Sequence, residues 1–195
     1  MQVAGAALIA AGLAIGLAAL VLLHALPTGL SPLRNAVSQY GITEYRGAYR
    51  IQTLAYATAG VGAAVGVAGL PGSAGIVVAL CATFAIARAL ISWFPMDAPA
   101  ADRTPTGSRH AVLAVAAFVA AGLASRELAR LLDQDKIHGG IAAANGVLSL
   151  LMGLCLLSMV VARRTRYFGG VERAFYVCMT AWLAIVGILI CLPDS

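Results

Sequence analysis

Val3–Leu26 reads VAGAALIAAGLAIGLAALVLLHAL, without a single Asp, Glu, Lys or Arg. An uninterrupted apolar run of about 20 residues is what a helix needs to cross the hydrocarbon core of a bilayer. A cleavable signal peptide would start with basic residues and have a shorter core. This run starts Met1-Gln2-Val3 and is too long, so a retained helix is expected.

Working outward, five more such runs follow, at 52–70, 74–94, 109–131, 138–161 and 172–192. Leu70-Pro71-Gly72-Ser73 reads as the tight turn between the second and third. In the fourth, Ser125-Arg126-Glu127 follows the apolar part. The helix is expected to continue, with Arg126 and Arg130 reaching for the headgroups. Small residues four apart (Gly12 and Gly16, Gly62 and Gly66, Ser149 and Gly153) let membrane helices approach closely. The expected fold is all-α: one domain over 1–195, an integral membrane bundle of six transmembrane helices.

Composition agrees. The chain is 61% hydrophobic and 11% charged, where a soluble domain carries roughly 25% charged residues. Mean hydropathy is +0.90. The formal charge of +5 comes with no soluble basic module, so nucleic acid is a poor partner. The expected partner is the lipid bilayer of the cell membrane, crossed several times. Cys81, Cys155, Cys178 and Cys191 all sit in apolar runs and read as free thiols.

Six spans place the loops near 27–51, 95–108 and 162–171 on one face. That face holds Arg34, Arg46, Arg50, Arg103, Arg109, Arg163, Arg164, Arg166 and Arg173, against Arg126, Arg130 and Lys136 on the other. By the positive-inside rule the arginine-rich face is cytoplasmic and both termini lie on the non-cytoplasmic side. Aromatics crowd the same face: Tyr40, Tyr45, Tyr49, Tyr56, Trp93, Phe94, Tyr167, Phe168, Phe175 and Tyr176. A membrane belt occupies both faces, so one-sided crowding hints at a pocket.

The longest polar segment, residues 30–50, carries Ser31, Asn35, Ser38, Gln39 and Glu44. Residues 33–40 suggest an interfacial helix with Pro32 at its first position and Gly41 ending it. It is either an amphipathic connector or a cap over a pocket. Arg88 lies six residues before Phe94, about 9 Å below the helix end at 1.5 Å per residue. A charge at that depth is paired, lines a wet cavity or snorkels. Asp97, Glu172 and Glu44 are its candidate partners. Asp97 follows the turn at Pro95 and is either a proton donor or an ion-pair partner of Arg88. His110 is a candidate hydrogen-bond partner of Asp97 or an acid/base group. Glu172 suits the first turn of the last helix, and Asn145 is expected to bond a neighbouring helix. His24, Asp97 and His110 could supply three ligands but show no metal-site spacing, so no metal or cofactor is expected.

Leu30-Ser31-Pro32 with Asn35, Ser38 and Gly41 resembles a family of small bacterial and archaeal membrane proteins known as domain of unknown function 998. Phe94-Pro95-x-Asp97, Gly107 before His110, and Gly170-x-Glu172-Arg173 fit the same resemblance. It implies a six-helix bundle and no settled activity. A second resemblance is to small bacterial membrane terpene cyclases, which protonate a prenylated substrate in an apolar, aromatic pocket.

These readings converge on a membrane enzyme acting on a lipid or prenylated small molecule by acid/base chemistry, in its most concrete form a proton-initiated terpene cyclase. Asp97, His110, Arg88 and Glu172 would be catalytic. Trp93, Phe94, Tyr40, Tyr45, Tyr49, Ser38, Asn35, His24 and Arg173 would bind substrate. The alternative is a non-catalytic lipid-binding, transport-accessory or structural protein. A third option is a metal-dependent lipid hydrolase using His24, Asp97 and His110.

Overall fold

In a computed structural model, residues 1–70, 74–134, 138–162 and 165–192 are described. Six long helices account for most of them: α1 (Gln2–Ala25), α2 (Arg46–Val67), α3 (Gly75–Leu90), α4 (Pro105–Gln134), α5 (Gly139–Ala162) and α6 (Phe168–Leu189). Two 3₁₀ segments, Val37–Ile42 and Ile91–Trp93, lie between them. The turn residues Pro71, Gly72 and Ser73, and the basic residues Lys136, Arg163 and Arg164, lie outside the described residues.

Five helices (α1, α4, α5, α6, and α3 with the 3₁₀ turn that continues it) are long and apolar enough to cross a membrane. Their outward side chains are hydrophobic, among them Val21, Val112, Leu150, Val161 and Val177. Buried inside are Gln52, Arg88, His110, Asn145 and Glu172. A protein that turns its aliphatic residues outward and its polar ones inward is built for lipid. The chain is therefore a multi-pass helical membrane protein.

The exception is α2, which has the length but not the apolarity. Each helix packs on the next in sequence, α6 closes back on α1, and α2 touches α1, α3 and α6. Tyr49, Gln52, Tyr56, Ala59, Ala63 and Val67 of α2 are all buried. A helix that faces protein on most sides does not need a lipid-facing stripe, so its Tyr, Gln and Thr are tolerated.

The α1–α2 seam is where glycine matters. A Cβ on Gly12 would lie 2.5 Å from the Ala55 carbonyl oxygen and 2.6 Å from the Ala59 nitrogen. A Cβ on Gly5 would lie 2.8 Å from Gly66 Cα. The antiparallel backbones touch, as the glycine spacing implied. On the far side, Ser149 Oγ donates to the Gly122 carbonyl at 3.0 Å. Asn145, expected to bond a neighbour, instead donates to Ile141 of its own helix at 2.9 Å. It is the Asn145 carbonyl that accepts across the interface, from Ser125 Oγ at 2.8 Å.

Three helices start well before the expected runs. α2 starts at Arg46 rather than 52. α4 starts at Pro105 rather than 109, because Thr104 caps it, and it continues past Arg126 to Gln134. α6 starts at Phe168, which puts Glu172 beyond its first turn.

Candidate functional site

The carboxyl ends of α1, α3 and α5 and the amino ends of α2, α4 and α6 gather at one end of the bundle. Residues 31–42 fold across that end. Ser31 begins a tight turn rather than a helix: its carbonyl accepts from Asn35 N at 2.8 Å, and the Asn35 Oδ1 accepts the Ser31 N–H at 2.8 Å. Asn35 Nδ2 donates to Gln39 Oε1 at 2.6 Å. The regular part is the short 3₁₀ run Val37–Ile42, with Val37 and Tyr40 buried. The expected helix over 33–40 is replaced by this turn and 3₁₀ run, and Gly41 lies inside the run instead of ending it. The pair of Asn35 bonds satisfies the backbone locally and competes with an α-helix.

The start of α6 is the seat for this segment. Gly170 N–H donates to the Leu33 carbonyl at 2.9 Å. A Cβ on Gly169 would collide with the Asn35 carbonyl and lie 2.6 Å from the Pro32 carbonyl. Glu172 is 5% exposed, and its Oε2 accepts the Val37 N–H at 2.7 Å. It thus caps a 3₁₀ helix 135 residues away in sequence, accepting from a donor that has no intrahelical partner. Arg173 Nη1 donates to the Asn35 carbonyl at 2.8 Å and to Gly169 O at 3.0 Å, and its Nε donates to His24 Nε2 at 2.7 Å. His24 Nδ1 lies 2.6 Å from the Leu20 carbonyl, which can only accept. That fixes the proton on Nδ1 and leaves Nε2 free to receive Arg173. Tyr40 stands edge-on to the His24 ring at 5.7 Å. The structure thus brings His24, Asn35, Tyr40, Glu172 and Arg173 into one cluster.

Arg88 is 2% exposed and has none of its expected acidic partners. Among the described residues the one ion pair is Arg130–Glu127, at 2.8 Å and far from this end. Arg88 instead donates to Gln52 Oε1 at 3.1 Å and lies over the rings of Tyr56 (5.8 Å) and Tyr176 (5.5 Å). An aromatic cage delocalises little charge but covers the guanidinium without desolvating a second ion. Tyr56 OH in turn meets Thr180 Oγ1 at 2.7 Å. Gln52, Tyr56, Tyr176 and Thr180 carry this site; Tyr56 and Tyr176 stood among the crowded aromatics without being assigned to Arg88, and Gln52 and Thr180 were missed from sequence. The one legible signal was an amide and two tyrosines on one face of α2, at positions 49, 52 and 56.

Asp97 meets neither Arg88 nor His110. Its Oδ1 accepts Thr104 Oγ1–H at 2.6 Å, and its Oδ2 accepts Thr104 N–H at 3.2 Å. Thr104 Oγ1 accepts Gly107 N–H at 3.0 Å, an N-cap for α4. Gly107 is required there because a Cβ would run into the Asp97 carboxylate. His110 Nδ1 pairs with the Phe94 carbonyl at 2.7 Å. The ring faces of Trp93 and Phe94 carry Arg50 and Arg109, each at 5.7 Å. Tyr49 is buried, and Tyr45 stands just before α2, its N–H on Thr43 Oγ1 at 3.2 Å. Ser38 Oγ lies 3.2 Å from Met96 Sδ. Among the described residues no three His, Cys, Asp or Glu side chains gather closely enough to hold a metal. The His24–Asp97–His110 set is dispersed over three separate partners.

Two hollows open at this end. A groove of about 610 Å³ runs between α1 and α6, bordered by Leu17, Leu20, Val21, Val177 and Ala181, with His24 and Arg173 also on its lining. A chamber of about 220 Å³ lies between the 31–42 segment, α2, the end of α3 and α4.

These features define a multi-pass helical membrane protein whose first loop is seated on its last helix. The chain belongs to the family described as protein of unknown function (DUF998), whose model matches residues 6–189. No curated protein and no solved structure matches it.

Proposed function

We propose that this protein is a six-span membrane protein that binds an anionic, amphipathic lipid at its arginine-rich end. The observation that carries the reading is the α1–α6 groove. Its walls are largely apolar, and Arg173 is the arginine among its lining residues, held in place by His24, whose two ring nitrogens are committed to Leu20 and Arg173. Arg173 Nη2 is buried without a hydrogen-bond partner among the described residues. An unused guanidinium donor beside an apolar trench is complementary to a phosphate or carboxylate headgroup with its chain along the trench.

The sixth span is α2. Its Gln52, Thr53 and Tyr56 are buried, and it runs beside α1 from Gly16 to Gly5. With six spans, the arginine-rich end is cytoplasmic and both termini are outside. In a chain whose four cysteines are replaced by alanine, a cysteine at Asp102 should then label from the cytoplasmic side alone.

Proton-initiated terpene cyclisation needs an acid in an apolar pocket and open aromatic faces. Asp97 spends both oxygens on Thr104, and arginines already cover Trp93 and Phe94. A hydrolase would need His24, Asp97 and His110 together. The geometry therefore favours binding over either chemistry.

The test is lipid retention after purification in mild detergent. Val177 is 68% exposed, so Val177→Trp fills the groove without touching the core. Wild type should retain anionic over zwitterionic lipid, and Val177→Trp should retain about tenfold less, the loss of roughly 1.4 kcal/mol of apolar contact. Equal retention by the variant, or no preference for anionic lipid in wild type, sinks the reading.

A further inference from the structure

The smaller chamber is a different kind of space from the α1–α6 groove. Arg46, Arg50 and His110 line it, and among the described residues no carboxylate does. Asp97 is next in sequence to Met96 of its wall but is engaged by Thr104. The chamber is thus a cationic recess at a membrane surface, where an unbalanced charge attracts counter-ions.

Its polar groups are under-used. Ser38 Oγ–H donates to Met96 Sδ at 3.2 Å, and a thioether is a weak acceptor that any oxyanion outcompetes. Arg50 makes one long bond, to the Ser92 carbonyl at 3.4 Å, so most of its five donors remain free. His110 is buried with Nδ1 committed to the Phe94 carbonyl. Its Nε2 accepts from a protonated oxygen when the ring is neutral and donates when it is cationic. About 220 Å³ holds a phosphate group with a few waters of roughly 30 Å³ each. It does not hold an acyl chain.

We infer that this chamber binds a phosphate-type oxyanion, with Arg46 and Arg50 supplying charge, Ser38 a hydroxyl donor and His110 the remaining contact. The ligand is either a soluble phosphate or the phosphomonoester headgroup of a lipid. The site is separate from the α1–α6 groove and does not depend on it.

The experiment uses the full chain in detergent at constant ionic strength. Melting is followed against inorganic phosphate, glycerol 3-phosphate and a short-chain phosphatidic acid, with chloride as control. Saturable stabilisation by phosphate probes and none by chloride is the expected result. Stabilisation by all three probes identifies the shared phosphate; stabilisation by phosphatidic acid alone identifies a headgroup. Arg46 is exposed, so Arg46→Gln should fold normally, and it and Ser38→Ala should each weaken binding about tenfold. Val177→Trp should leave the response to inorganic phosphate and glycerol 3-phosphate intact; a phosphatidic acid response belongs to the chamber where the Arg46→Gln/Ser38→Ala double variant weakens it. The inference is overturned by no saturation with any probe, by unchanged binding in that double variant, or by loss of the soluble-phosphate response in Val177→Trp.

Discussion

Replacing Glu172 by alanine tests the seat of the 31–42 segment directly. In the native protein the buried carboxylate accepts the Val37 N–H at 2.7 Å, and Val37 itself is fully buried. Alanine removes the acceptor and leaves that N–H without water or protein to bond. A buried donor orphaned in this way costs about 1–3 kcal/mol, with the upper part of the range for a charged partner. Taking about 2–3 kcal/mol, the ratio of seated to unseated segment falls roughly 30- to 150-fold. The other anchors, Gly170 to Leu33 and Arg173 to Asn35, hold residues 33–35 and should limit the opening to 36–42. Amide hydrogen exchange reads this local opening, because protection reports the free energy of the unit that opens. Exchange at Val37–Ile42 should accelerate by that factor, with α1 and α6 unchanged. Glu172→Gln keeps an acceptor oxygen without the charge and should lose only about tenfold. If Glu172→Ala leaves exchange at 37–42 as in wild type, the carboxylate does not hold the segment and the account of the Gly-Gly-x-Glu-Arg motif fails.

Other perturbations have comparably definite outcomes. Gly12→Val drives a branched side chain into the Ala55 and Ala59 backbone of α2 and should cost at least about 3 kcal/mol, read from unfolding in detergent. Gln52→Leu strips Arg88 of its hydrogen bond and should destabilise by about 2–3 kcal/mol. Gln52→Leu with Arg88→Met removes both partners and should recover most of the loss, and a double-mutant cycle measures the coupling. Asp97→Ala removes the acceptor that positions Thr104, the N-cap of α4, and should cost about 1 kcal/mol, seen as faster exchange at residues 106–108.

The Arg88 cage and the Asp97 cap share a lesson about charge in this bundle. Sequence proximity to one end suggested that Arg88, Asp97 and Glu172 form one network. The structure assigns each to a different job: a cation under tyrosines, a helix cap and a loop clamp. Depth along a helix is legible from residue spacing, but rotation about its axis relative to five neighbours is not. Glu172 pairs with the Val37 N–H, 135 residues away, rather than with Arg88, and only packing reveals which is nearer.

Much of the architecture was legible because its cause is local. Uncharged runs of bilayer length and glycines at four-residue spacing act along a single helix, whatever the rest of the chain does. The helices, the α1–α2 seam and the gathering of aromatic and basic residues at one end follow from them. Val3–Leu26 alone announces the membrane. Tertiary structure decided the rest. The polar composition of α2 made sense only once its neighbours were seen to shield it from lipid. The role of Glu172 depended on a loop 135 residues away. The groove and the chamber exist only between elements, so no single stretch of sequence encodes either. Local free energies select helices, but sites are made by the long-range contacts that bring their ends together.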